Sequence, residues 1–236
     1  MTDIEQTIAN ITKSSGRKSA FHFTRAANLQ GIARFDAIWS SQHLLPESTG
    51  ERRLSKTEVD YKGITMTVNS HLRIPEAMME ENCTVEQFRS FIDRHIFFWP
   101  TKRDCLAMLT TYMRREPAES FAVLEFDASE LLLEHQDTVR LSKYDSGSSP
   151  RFPSSCNYRK SPAMFVSLAE FGYRTDYAVP AKPSEIKEIL IEEQAHSISR
   201  LLKSVYALSL EHLPTKWLPN YQPLDVLLAT SKTRTD

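Results

Sequence analysis

The chain has 236 residues, 41% hydrophobic and 25% charged, with a formal net charge of -1. That composition belongs to a soluble globular protein with a real core, and the near-neutral charge excludes a general polyanion binder, although Arg52-Arg53, Lys102-Arg103 and Arg114-Arg115 leave a local basic patch open. Three distant cysteines exclude a disulfide framework or zinc knuckle, and the absence of a signal-like or membrane-spanning apolar run sets the expectation of a cytoplasmic protein without a membrane partner.

Asp3 opens a short amphipathic helix using Ile4, Ile8 and Ile11 and ending at Ser14-Ser15-Gly16. Ala20-Phe21-His22-Phe23-Thr24 then reads as a short buried strand carrying one histidine. Thr24 is placed to cap a helix over residues 26–32, with Leu29 and Ile32 on one face, and Ile38-Trp39 is a second short apolar run. A histidine at a strand end beside helix amides suits an anionic or strongly polar ligand; a core histidine bonded to backbone is the alternative. Residues 42–70 are polar and turn-rich, with one strand at 64–68, and read as a ligand-covering loop.

Thr84 with Gln87 forms a capping box for a helix that buries Val85, Phe88 and Ile92. Ile96-Phe97-Phe98-Trp99 is a buried strand ended by Pro100, and Thr101 with Asp104 starts a helix bearing Leu106, Leu109, Tyr112 and Met113. A strand follows at Phe121–Phe126, then a helix capped by Asp127, then a strand at Val139–Leu141. The loop from Asp145 to Ser155 is made basic by Arg151, Arg159 and Lys160. It reads either as a solvated loop or as a phosphate cradle, without the glycines of a P-loop. Residues 183–191 alternate as a late strand, in which Glu188 faces either solvent or a site, and residues 197–210 read as a helix followed by a Pro-containing tail. This irregular mixture predicts an α+β fold with mainly antiparallel sheets. One domain is expected over 1–236, with its core at about 19–200 and accessory elements at 3–14 and 197–236.

The run His22-Phe-Thr-Arg-Ala-Ala-Asn28-Leu29-Gln-Gly-Ile32 resembles the His-x-Thr-x-x-x-Asn-Leu-x-x-Ile opening of the DarT-type DNA ADP-ribosyltransferase toxins. It is closer still to an uncharacterised bacterial family sharing that opening. The likeness continues in Phe97-Phe98-Trp99-Pro100-Thr101, Leu124-Glu-Phe126-Asp127, Leu141-Ser-x-x-x-Ser146-Gly147 and Glu188-Ile-Leu-Ile191. The resemblance implies an ADP-ribosyltransferase-like split β-sandwich with peripheral helices that grips NAD, its co-substrate, in a cleft. It implies that His22 bonds the nicotinamide-side ribose, that Thr24 and Asn28 shape the pocket, and that Glu188 is the catalytic glutamate. Phe23 stands where poly-ADP-ribose polymerases have glycine, and the 159–161 region lacks an expected Arg-Gly pair.

The chemistry agrees with those residue types. Breaking the glycosidic bond develops positive charge that a carboxylate in a low-dielectric cleft stabilises, and the same group can take the acceptor's proton. Arg25, Arg52 and Arg53 are the candidates for the pyrophosphate. Transfer to DNA, RNA or protein, in a toxin or defence protein with an antitoxin partner, is the first expectation. A 2′-phosphotransferase-like enzyme and a silent nucleotide- or nucleic-acid-binding module of the same fold are the others. The silent module would show Glu188 turned to solvent.

Overall fold

The computed structural model describes residues 3–148, 152–154, 156–174, 176 and 178–229. In chain order the elements are α1 (Asp3–Ile11), β1 (Ser19–Arg25), α2 (Leu29–Phe35), β2 (Ala37–Trp39), α3 (Ser41–Leu44), β3 (Thr57–Tyr61), β4 (Ile64–Val68), α4 (Val85–Asp93), β5 (His95–Phe98) and α5 (Lys102–Arg115). They continue with β6 (Phe121–Asp127), α6 (Ala128–Glu134), β7 (Val139–Ser142), β8 (Phe165–Ser167), β9 (Glu188–Glu192), β10 (Gln194–His196), α7 (Ile198–Leu201), β11 (Leu202–Ala207), β12 (Tyr221–Pro223) and α8 (Leu224–Ala229).

The architecture is α+β, as the irregular pattern predicts. Two four-stranded sheets run in the orders β1-β6-β11-β12 and β5-β9-β7-β8, and β2 with β10 and β3 with β4 form two ribbons. Within the large sheets every pairing is antiparallel except β11 with β12. Both sheets supply one apolar core, Ala20, Leu124 and Phe126 from the first and Ile96, Phe98, Leu141 and Ile189 from the second. They touch at Phe21 and Trp99, which exchange two backbone hydrogen bonds of 2.9 and 2.8 Å.

Local signals act as read at several ends. Thr84 and Gln87 complete their capping box, Thr101 caps α5 through the Asp104 amide, and Asp127 accepts from Ser129 and Glu130 at the start of α6. Among the described residues no helix is long and apolar enough to cross a membrane.

Three readings are corrected. Residues 197–210 are not one helix: after the four-residue α7 the chain becomes β11, whose Leu202, Val205 and Ala207 are buried against β6. Sheet pairing there outweighs apolar spacing that also fits a helical face. Thr24 caps nothing, because the chain passes through a 3₁₀ turn at Ala26–Asn28 before α2, and Thr24 stays in the strand. The 42–70 segment has the strand expected at 64–68, but also a second strand that the sequence reading lacks, Thr57–Tyr61, which pairs with it in full register.

Phe98 is fully buried and packs edge-on against Phe126, whereas Leu133 on α6 is 46% exposed. Phe98→Ala is expected to lower stability by about 3–5 kcal/mol, and Leu133→Ala by less than about 0.5 kcal/mol. Urea unfolding checks both, and a loss under about 1 kcal/mol at Phe98 would contradict the shared core described here.

Candidate active site

A cleft of about 210 Å³ opens beside the Phe21–Trp99 contact, and its lining includes His22, Thr24, Asn28, Arg53, Asp93 and Glu188. His22 follows Phe21 on β1. Its ring packs 5.3 Å from Phe98, and Nδ1 donates to the Phe97 carbonyl at 2.8 Å. A carbonyl only accepts, so Nδ1 carries the proton and Nε2 of the neutral ring is left as an acceptor. Burial lowers the His22 pKa to about 4 against the opposing pull of the Phe97 bond, so the ring is neutral at pH 7. His22 is thus bonded to backbone, as the core reading has it, and it also lines the cleft.

Thr24 lies two residues on, on the same face of β1. The Asn28 amide donates to the Thr24 hydroxyl at 3.3 Å and to the Thr67 carbonyl at 2.9 Å, while its oxygen accepts from the Thr67 amide at 2.8 Å. The two contacts to Thr67 fix the β3–β4 ribbon against the exit of β1, and Met66, Thr67 and Val68 are in the cleft lining.

Of the three candidate arginines, one is in the lining. Arg53 donates from Nε to the Asn69 carbonyl at 3.2 Å and from Nη2 to Asp93 at 2.7 Å, while Nη1 has no partner among the described residues. Arg25 is 1% exposed, with its guanidinium engaged by Glu116 at 2.6 Å, Glu119 at 2.5 Å and the Asn69 side chain at 3.0 Å. Arg25 points away from His22 and Thr24, as strand alternation requires, and is outside the lining. Arg52 is exposed and is also outside it.

Asp93, at the end of α4, organises a cluster that the sequence did not single out. Its Oδ1 accepts from Arg53, from His71 Nε2 at 2.9 Å and from the Ser41 hydroxyl at 2.7 Å, and Oδ2 accepts from the Gly50 amide at 3.1 Å. His71 Nδ1 accepts the Arg53 amide at 3.0 Å, which puts the ring proton on Nε2, facing Asp93. Burial alone would raise the Asp93 pKa, but the bonds and charges of His71 and Arg53 outweigh it and hold the carboxyl well below the usual range. Only the spacing of α4 bears on this cluster in the sequence, because Ser41, Arg53, His71 and Asp93 converge from four segments.

Glu188 begins β9 and is 1% exposed, which settles the choice between solvent and interior in favour of the interior. Its Oε2 accepts from the Ser146 amide at 3.0 Å and the Ser146 hydroxyl at 2.6 Å, and Oε1 has no donor among the described residues. Burial raises the Glu188 pKa and Asp145 adds to it, while Ser146 and Lys160 pull it back. The basic loop also differs from its reading. Lys160 is fully buried rather than solvated, Arg159 bonds the Ala77 and Met79 carbonyls, and Arg151 lies outside the described residues.

A family model matches residues 18–202, from the start of β1 to the start of β11. The chain belongs to the family of unknown function DUF7002. No curated protein matches it. Among solved structures, this DUF7002 member is similar to Thermus sp. 2.9 DarT in complex with NAD+, at 13% identity over 83% of this chain and 84% of that one, with a TM-score of 0.39. The same Thermus protein in complex with ADP-ribosylated ssDNA matches at 10% identity over 82% of each chain, with a TM-score of 0.37.

Asp93→Ala is expected to cost about 3 kcal/mol at pH 7, because it leaves Arg53 without its buried counter-charge. The folded pKa of Asp93 is depressed, so its contribution is fully present above the unfolded value of 3.8 and declines progressively as pH falls from there through the folded value. Urea unfolding at pH 6 and pH 3 should therefore show the gap between wild type and variant shrinking at the lower pH. A gap that stays constant would contradict the ionised cluster.

Proposed function

We propose that this chain is an ADP-ribosyltransferase on a split β-sandwich. It holds NAD in the cleft, breaks the bond between nicotinamide and ribose, and passes ADP-ribose to a nucleic-acid or protein acceptor. The observation that carries this reading is that His22 and Glu188, from strands of two different sheets, line one cleft together with Arg53.

Each group has the chemistry the reaction needs. Nε2 of neutral His22 accepts a ribose hydroxyl, and Nη1 of Arg53, without a partner among the described residues, offers donors to a pyrophosphate. Ionised Glu188 stabilises the positive charge that develops at the anomeric carbon as nicotinamide leaves, then takes the proton of the acceptor hydroxyl or amine. Its burial makes that interaction strong, because little water competes for the carboxylate. NAD as the nucleotide, and a role as a toxin or defence protein held in check by an antitoxin, follow from the resemblance of the His22–Ile32 and Glu188–Ile191 motifs.

The buried position of Glu188 disfavours the silent-module reading, whose mark is an exposed glutamate. A 2′-phosphotransferase would gather several arginines on one phosphate, and Arg53 is the arginine that the described residues bring to the lining.

Purified protein should release nicotinamide from NAD, faster in the presence of its acceptor among single-stranded DNA, RNA and cell lysate. Glu188→Gln and His22→Ala are each expected to slow release by about 100-fold or more. Because the folded pKa of Glu188 is raised and its ionised form is required, the rate should climb with pH through a region above the ordinary carboxylate range. Absence of release with every acceptor, together with no NAD binding by calorimetry, sinks the transferase reading.

A further inference from the structure

Lys160 is the buried charge that the site chemistry leaves unexplained. Its backbone is anchored on the segment before α4, where Lys160 N–H donates to the Met78 carbonyl at 2.7 Å and Glu80 N–H donates to the Lys160 carbonyl at 3.0 Å. From there the ammonium donates to three carbonyls of a single loop: Asp145 at 2.8 Å, Ser146 at 2.7 Å, and Ser148. Three acceptors match the three hydrogens of a charged ammonium; a neutral amine has only two. Phe88 and Tyr158 present their rings at 5.9 and 5.8 Å, the second face-stacked on Tyr144.

Those carbonyls turn inward toward Lys160, and the opposite side of the same loop faces Glu188. There Ser146 gives both its amide and its hydroxyl to Oε2. The loop is closed on itself as well, since Ser148 N–H and Oγ donate to the Asp145 carboxylate at 3.1 and 2.6 Å. Gly147, between the two serines, reaches the cleft lining.

We infer that Lys160 is the positioning residue for Glu188: it holds the 145–148 loop so that Ser146 pins one carboxylate oxygen and leaves the other for the cleft. Lys160 is not itself among the residues that line the cleft. It acts through three carbonyls and one serine, and it supplies a positive charge behind a carboxylate that burial would otherwise hold protonated. The groups that bear on Glu188 are Asp145, which opposes its ionisation, Ser146 and Lys160, which favour it, and Tyr158 close by. The clamp stands on the geometry alone, and its catalytic meaning rests on the transferase reading.

The test follows the Glu188 carboxyl carbon by NMR titration in protein labelled at glutamate, assigned with Glu188→Gln, in wild type, Lys160→Met and Ser146→Ala. Both variants should raise the pH at which Glu188 titrates, Lys160→Met by about one pH unit or more. In the nicotinamide-release assay the rising limb should move up by the same amount. At pH 7 kcat should fall about tenfold, with KM for NAD changed less than about threefold, because the binding groups are untouched. A Lys160 that served stability alone would lower the melting temperature and the active fraction at every pH without moving that limb.

A Glu188 titration unchanged in folded Lys160→Met overturns the inference. If Lys160→Met does not fold, an unchanged titration in Ser146→Ala, which leaves the ammonium and its carbonyls in place, overturns the clamp equally. If wild type releases no nicotinamide, the transferase reading fails by itself, and the titration still decides whether Lys160 governs Glu188.

Discussion

The contact between Phe21 and Trp99 is the constraint on which the rest of the molecule depends. Two backbone hydrogen bonds tie β1 to the end of β5, and beyond them the two sheets part. Residues of both sheets share an apolar core, and the cleft is lined by neighbours of the contact on both strands, His22, Phe97 and Trp99 among them. His22 is the next residue on β1, and Glu188 starts the strand that pairs with β5. A histidine and a glutamate 166 positions apart in sequence are thereby delivered to the same opening by strand pairing.

The cleft holds two buried carboxylates, and their surroundings drive them in opposite directions. Asp93 meets a guanidinium, an imidazole N–H, a hydroxyl and an amide, and is held ionised. Glu188 meets one serine, with its cation a loop away, and is pushed toward the protonated form. Asp93 is thus suited to fixing Arg53 in place, and Glu188 to chemistry that needs a carboxylate able to change state near neutral pH. The division of labour follows from the number of donors around each group.

Much of this was legible in the sequence, and the failures have physical causes. The caps at Thr84, Thr101 and Asp127 depend on neighbours within three residues, so their spacing carries the whole signal. His22, Thr24, Asn28 and Glu188 reach the cleft from positions the motif resemblance marked. Strand alternation puts Arg25 on the other face of β1 from His22, but nothing local separates Arg52 from Arg53, which lie in coil and of which Arg53 reaches Asp93 and the Asn69 carbonyl. β11 was lost to a helix because its apolar residues satisfy both periods, and the β6 edge that decides between them is far away in sequence. Neither reading of the basic loop, solvated or phosphate cradle, anticipates a buried Lys160, because the three carbonyls that make its burial tolerable come together only once the loop is folded.

Asn28 binds Thr67 as though it were one more residue of a β-ladder, giving one hydrogen and taking another. Aspartate has nearly the same shape, yet it would set an oxygen against the Thr67 carbonyl oxygen and turn half of that pairing into repulsion. The wall formed by β3 and β4 thus hangs on the difference between a nitrogen and an oxygen. The asparagine of the opening motif is required by the architecture of the cleft before any ligand enters it.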